Sequence, residues 1–281
     1  MKILRAEHLG MCFGVRDAIA LAIEEAGARP LTILGDLVHN DSVLADLRAR
    51  GIAVEQQAAR VKTGTVMVTA HGASNRARTQ IRSLGLSVLD ATCPLVHVAH
   101  RAVMQLVRDG YHPVIVGKRD HVEVRGLTED LDDFDVVLDA EDVTRLAGRP
   151  RIGVAAQTTQ PIERVRALVD LIRLRFPRSD VRFVDTVCHP TKERQSAAIE
   201  LARQCDVVIV IGGAHSNNTH EIVNTCRRHC ARVHHVQTSA DLRRDWFAAA
   251  RIAGITAGTS TPAHIIDAVE RWMCGLAEGT L

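Results

Sequence analysis

The sequence predicts an α/β protein of three related units that share one central site, and three observations carry that expectation. Cys12, Cys93 and Cys188 each stand where an apolar strand runs out and a helix begins. The same succession of helix, strand and polar turn follows each of them. From Cys12 to His39 is 27 residues, and from Cys93 to His121 and from Cys188 to Ser216 is 28. Matched position in three repeats is not expected of ordinary core cysteines, although free Cys is among the most buried residue types.

In order along the chain, "MKILRAEHLGMC" is an apolar strand leading to the first cysteine. Val15, Ala18, Ile19, Ala22 and Ile23 then give the i, i+3, i+4 spacing of an amphipathic helix. "LTILGDLVHN" is a strand ending at His39 and Asn40, and "VMVTAHGAS" is a second one ending at His71, whose polar turn opens a further helix. The second unit repeats this with "LSVLDATC", "HPVIVGKRDH" ending at His121, and "IGVAAQTTQ" ending at Thr158. The third does so with "VRFVDTVC", "DVVIVIGGAHSNN" carrying Ser216, Asn217 and Asn218, and "AGITAGTSTP" carrying Ser260. The units are drawn as residues 1–92, 93–187 and 188–281, each delivering one thiolate and two polar turns. A group at the carboxyl end of a strand faces the crevice in which α/β sheets bind ligands.

Composition narrows the function. Hydrophobic residues make up 46% of the 281, enough for a sizeable core. The net charge is +2 with both signs interspersed and no Lys/Arg block, which argues against a nucleic-acid groove. One tyrosine and five phenylalanines leave no platform for stacking bases. No run of 18 apolar residues occurs, and Glu7 and His8 stand where a signal peptide would be apolar, so a cytoplasmic protein without membrane contact is expected. In a reducing compartment seven cysteines point to metal or catalytic use before disulfides.

Three thiolates are too few to close a structural zinc site but suit a cluster or metal with one open position, either iron-sulfur or zinc by softness of the ligand. Cys205 and Cys274 read as packing. Cys226 and Cys230 in "CRRHCARVHH" are i, i+4 on a helix near His229, His234 and His235, so either a zinc site or plain packing is open there. His39, His71 and His121 fall at equivalent strand ends, and Ser216, Asn217, Asn218 and Ser260 are short donors at helix starts. Converging helix N-termini make a phosphate or diphosphate pocket. Neither a P-loop nor G-x-G-x-x-G is present, so no nucleotide cofactor is expected. Glu123 follows His121 by two residues; structurally it would pair with Arg125 or Arg119, whereas near a diphosphate its proton affinity would rise and it becomes a candidate proton donor.

The motifs "GMCFGV", "VHN", "AHG", "DATCP", "HVE", "AQTT", "SNN" and "AGTSTP" resemble, over nearly the whole chain and in the same order, those of the 4-hydroxy-3-methylbut-2-enyl diphosphate reductase family, the last step of the methylerythritol phosphate route to isoprenoids. The resemblance implies a trefoil of three pseudo-threefold-related α/β domains around an oxygen-sensitive [4Fe-4S] cluster held by Cys12, Cys93 and Cys188. It places diphosphate binding on His39, His71, His121, Ser216, Asn217, Asn218 and Ser260, substrate orientation on Thr158 and proton donation on Glu123. It also implies a ferredoxin or flavodoxin as electron donor. The chain departs from the family pattern at Val122, where a proline is usual, at Arg125, where an acidic residue is frequent, and at Asn217, where a serine is usual. Arg125 would lower the proton affinity of Glu123. Two alternatives stay open: a divergent paralogue acting on another allylic or phosphorylated alcohol, and a non-catalytic iron-sulfur or zinc sensor.

Overall fold

Strands covered by helices on both faces lack a polar side, and "VVIVI" at 207–211 is buried at every position. The computed structural model describes residues 1–279. In chain order the first stretch comprises β1 (Lys2–Arg5), α1 (Phe13–Ala28), β2 (Leu31–Leu34), α2 (Asp41–Ala49), β3 (Ala53–Glu55), β4 (Thr65–Val68), α3 (Asn75–Ser83) and β5 (Ser87–Asp90). Next come α4 (Pro94–Arg108), β6 (His112–Val116), α5 (Val122–Thr128), β7 (Asp135–Val137), α6 (Ala140–Arg145), β8 (Arg151–Ala156), α7 (Ile162–Arg175) and β9 (Asp180–Phe183). The last stretch holds α8 (His189–Gln204), β10 (Val207–Ile211), α9 (Asn217–Arg227), β11 (Val233–Val236), β12 (Ile252–Ala257) and α10 (Ala263–Glu278).

The described residues therefore form an α/β protein with three four-stranded parallel sheets, in the orders β3-β2-β4-β5, β7-β6-β8-β9 and β1-β12-β10-β11. In each, the two central strands carry the polar turns and one edge strand leads to a cysteine. The third sheet is completed by the N-terminal strand: β1 pairs in parallel with β12, Lys2 opposite Ile252 and Arg5 opposite Ile255. Sheet membership follows the divisions drawn at 92 and 187 for every strand but β1, which belongs to the sheet of the third unit. The chain resolves into two compact units, one of Met1–Arg16, Val38–Asp46 and the residues from His189, and one of Asp17–Leu37 with Leu47–Cys188.

In the first of these units, alternate residues of β10 feed two cores. Val207, Ile209 and Ile211 pack with Ile265, Ile266, Val269 and Met273 of α10, while Val208 and Val210 pack with Ala198, Leu201 and Ala202 of α8 and with Ile222, Val223 and Cys226 of α9. In the second unit Val114, Val116 and Val154 meet α7 on one face, and Ile115 and Ala155 meet α4 and α5 on the other. The third residue of β8 and of β12 is glycine. A Cβ on Gly153 would lie 2.9 Å from both Leu106 Cδ2 and Tyr111 Cβ, and one on Gly254 2.8 Å from Cys205 Sγ. These glycines let the covering helix approach the sheet. Gly153→Ala is expected to cost about 1–3 kcal/mol through overpacking, read from the midpoint of denaturant unfolding. No helix among the described residues is long and apolar enough to cross a membrane.

Candidate active site

The Asp17–Leu37 and Leu47–Cys188 unit holds six of the expected site residues, five of them joined by direct contacts. Cys93 caps α4, with Pro94 at the first helical position, and its N–H donates to Ala70 O at 3.0 Å, beside His71. Cys188 stands immediately before α8, and its N–H donates to Thr158 O, also at 3.0 Å. The rings of His71 and His121 meet edge to face with centroids 5.4 Å apart. His121 caps α5, its Nδ1 accepting the Glu123 N–H at 3.1 Å. That bond leaves the ring proton of a neutral His121 on Nε2, a donor suited to an anionic ligand.

Glu123 is buried, at 1% exposure, and its two carboxyl oxygens are held by one residue. Thr158 donates its N–H to Oε1 at 2.6 Å and its hydroxyl to Oε2 at 3.0 Å. Burial pushes the Glu123 pKa up from 4.5 to about 7, against the opposing effect of these two hydrogen bonds. The residue is therefore poised to hold or release a proton near neutrality. The expected influence of Arg125 is corrected by its direction: its guanidinium lies against Glu129 at 3.4 Å on the exposed side of α5, while Arg119 donates to Val136 O. On a helix, i+4 and not i+2 shares a face, which is why Glu129 wins. Val122 takes the first position of α5, where a proline is well tolerated because the N–H has no intrahelical partner, so the substitution leaves the helix start intact.

The other unit assembles the remaining six. Cys12 donates its N–H to Thr259 O at 3.0 Å, beside Ser260, and its own carbonyl accepts the Arg16 N–H at the start of α1. The loop before Cys12 is fixed by the buried Arg194 guanidinium, which donates twice to Gly10 O at 3.0 and 2.9 Å. Gly10 has φ +74, a left-handed conformation that favours glycine there. Ser216 caps α9 by accepting the Thr219 N–H at 3.3 Å, and Asn218 Oδ1 accepts the Thr259 N–H at 3.0 Å, joining the two polar turns. Thr219 fills the space between them: a Cβ on Gly212 or Gly258 would lie 2.3 or 2.2 Å from its Oγ1. His39 is brought to the same place, since a Cβ on Gly213 would lie 2.2 Å from His39 O. Asn40 caps α2 through Oδ1, which accepts the Ser42 and Val43 N–H groups.

Asn217 Nδ2, Asn218 Nδ2 and Ser260 Oγ are buried with no hydrogen-bond partner among the described residues. Orphaned donors at helix starts are costly unless a ligand satisfies them, and the positive end of the helix dipole favours an anion there. The glycines of this unit and the part played by Arg194 are not visible in sequence, because both depend on packing between distant segments.

The second metal reading does not survive. Cys226 is fully buried with Sγ donating to Ala198 O at 3.8 Å, Cys230 lies past the end of α9 with Sγ on Cys205 O at 3.3 Å, and His229 is exposed. Burial pushes the Cys226 thiol up to about 12 and Cys205 up to about 11, which disfavours the thiolate that a metal needs.

Residues 3–274 match the model of a protein family described as LytB protein. The chain belongs to the LytB protein family. It is 36% identical over 271 residues to the 4-hydroxy-3-methylbut-2-enyl diphosphate reductase of Pelobacter propionicus, covering 96% of each chain. It is 35% identical over 286 residues to the reductase of that name from Aquifex aeolicus, covering 99% of this chain and 98% of that one. Among solved structures it resembles the E-1-hydroxy-2-methyl-but-2-enyl-4-diphosphate reductase from Plasmodium falciparum with a TM-score of 0.88 and 26% identity, over 95% of this chain and 86% of the other. A second resemblance is to a structure of (E)-4-hydroxy-3-methyl-but-2-enyl diphosphate reductase, the terminal enzyme of the non-mevalonate pathway, with a TM-score of 0.67 and 34% identity over 98% and 99% of the two chains.

Proposed function

We infer that this LytB-family chain is an oxidoreductase that reduces 4-hydroxy-3-methylbut-2-enyl diphosphate to isopentenyl and dimethylallyl diphosphate. The observation that carries this reading is Glu123, a buried carboxyl with a pKa near 7, held by Thr158 and bonded through its N–H to His121. The reaction replaces an allylic C–O bond by a C–H bond and takes up two electrons and two protons, the hydroxyl leaving as water. A proton donor kept from bulk solvent is what that balance demands. A sensor without turnover has no use for such a group.

Cys12, Cys93 and Cys188 fit a [4Fe-4S] cluster: they are partly exposed, follow parallel strands, and each stands immediately before a helix whose N-terminus stabilises negative charge. Held by these three thiolates, the cluster would supply electrons singly and an iron without a protein ligand. The chain's own residues do the rest. His39, His71, His121, Ser216, Asn217, Asn218 and Ser260 donate to the diphosphate, Thr158 orients the carboxyl of Glu123, and Glu123 holds the proton that the departing hydroxyl receives. A ferredoxin or flavodoxin delivers the electrons.

The test is anaerobic: the purified protein is expected to oxidise a reduced viologen dye only when 4-hydroxy-3-methylbut-2-enyl diphosphate is added, with both five-carbon diphosphates formed. Absence of dye oxidation by cluster-loaded protein overturns the reading. His39→Ala, His71→Ala and His121→Ala are each expected to weaken substrate binding by about 1.5–3 kcal/mol, the range for hydrogen bonds to charged groups. Perturbation of the visible spectrum on titration with substrate measures it.

A further inference from the structure

We propose that His220, His235 and Gln237 are positioning residues that clamp the turn 212–216 and so preorganise the anion site formed by Ser216, Asn217 and Asn218. The inference rests on the diphosphate-binding role proposed above for that turn. Ala214 is held on both sides: its carbonyl accepts from His220 Nε2 at 2.6 Å, and its N–H donates to Gln237 Oε1 at 3.1 Å. Two residues earlier, Gly212 O accepts from His235 Nε2 at 2.9 Å. A carbonyl only accepts, so both rings carry a proton on Nε2. The rings brace each other edge to face, with centroids 5.4 Å apart.

The clamp draws on two elements. His220 lies in the first turn of α9, the helix that Ser216 caps, while His235 and Gln237 come from β11 and the residue after it. Within the turn the Ser216 N–H donates to Gly213 O at 3.1 Å, while both polar groups of the Ala214 backbone are held from outside it. Gly212 and Gly213 are free of side chains because Thr219 Oγ1 and His39 O occupy the places of their Cβ atoms, and glycine loses the most conformational freedom on ordering. A Gly-Gly-Ala turn that must present donors to a diphosphate therefore depends on restraint from outside. Restraint in the free protein lowers the ordering cost of binding. Because the diphosphate is held alike in ground and transition states, loss of the clamp acts on KM and not on kcat.

The experiment compares holoenzyme variants His220→Ala, His235→Leu, the double variant, and the amide replacements His220→Gln and His235→Gln, which retain an N–H donor. Ser216→Ala reports on the turn itself. Steady-state kinetics with the substrate and calorimetric titration with inorganic diphosphate are the two readouts. Each single loss is expected to raise KM and the diphosphate Kd roughly three- to tenfold, the amount one net hydrogen bond supplies, with kcat within about twofold. The glutamine variants are expected to recover most of the loss, which a purely structural defect would not show. Normal diphosphate binding in the double variant, with Ser216→Ala weakened, overturns the clamp alone. If Ser216→Ala also binds normally, the assignment of the turn falls and the clamp with it. A kcat loss that the amide replacements do not recover also overturns it.

Discussion

Glu123→Gln is expected to lower turnover by about 10²- to 10⁴-fold, the contribution of a positioned general acid, while substrate affinity stays near that of the parent. Glutamine keeps the shape: its Oε1 can accept the Thr158 N–H, and its Nε2 can donate to the Thr158 hydroxyl. Only the transferable proton is lost. The pH dependence follows from the direction of the shift. With a pKa raised from 4.5 to about 7, Glu123 is protonated below pH 7 and ionised above it. The rate is therefore expected to hold a plateau on the acid side and fall as pH rises through about 7, and the negative charge of bound diphosphate moves that limb upward. Between pH 4.5 and 7 the folded protein keeps a proton that the unfolded chain has released, so rising pH costs stability across that window. The cost is fully present above pH 7 and amounts to about 3 kcal/mol. Glu123→Gln lacks this dependence, so its stability relative to the parent should rise between pH 4.5 and 7. Steady-state kinetics and unfolding at several pH values measure both. Near-normal turnover in the variant would assign the protons to another group.

Serine at Cys12, Cys93 or Cys188 is expected to abolish activity and most of the bound iron, because a hydroxyl is a far poorer ligand for iron than a thiolate. Iron content and the visible absorption of anaerobically purified protein measure the effect. Cys205→Ser and Cys274→Ser are the controls and should keep the full complement of iron. Cys226 is a less suitable control than its position in sequence implies. It is buried at 0% exposure in the core between α8 and α9, so a serine there places a polar group among apolar neighbours and lowers stability without touching the iron. Retention of full iron by Cys93→Ser would remove the three-thiolate centre.

What was legible in sequence is what local chemistry dictates. An apolar strand followed by a cysteine and an amphipathic helix sets that cysteine at a strand end whatever the remainder of the chain does, and the structure has Cys12, Cys93 and Cys188 each at the start of a helix. The same holds for the turns bearing His71, His121, Thr158, Ser216 and Ser260, since a strand end and a helix N-cap are neighbours along the chain. Partners far apart in sequence were decided only in three dimensions. Glu123 is held by Thr158, 35 residues away, and not by Arg125, two residues away, because α5 turns position 125 toward Glu129 and solvent. The strand that completes the third sheet comes from the opposite end of the chain, since parallel pairing joins strands through crossovers and leaves no local mark. The glycines at 212, 213 and 258 are ordinary in sequence; only the placement of Thr219 and His39 O against them makes a side chain impossible there. The residue types at the site follow from local patterns, whereas the proton affinity of Glu123 follows from desolvation, which exists only once the chain has closed around it.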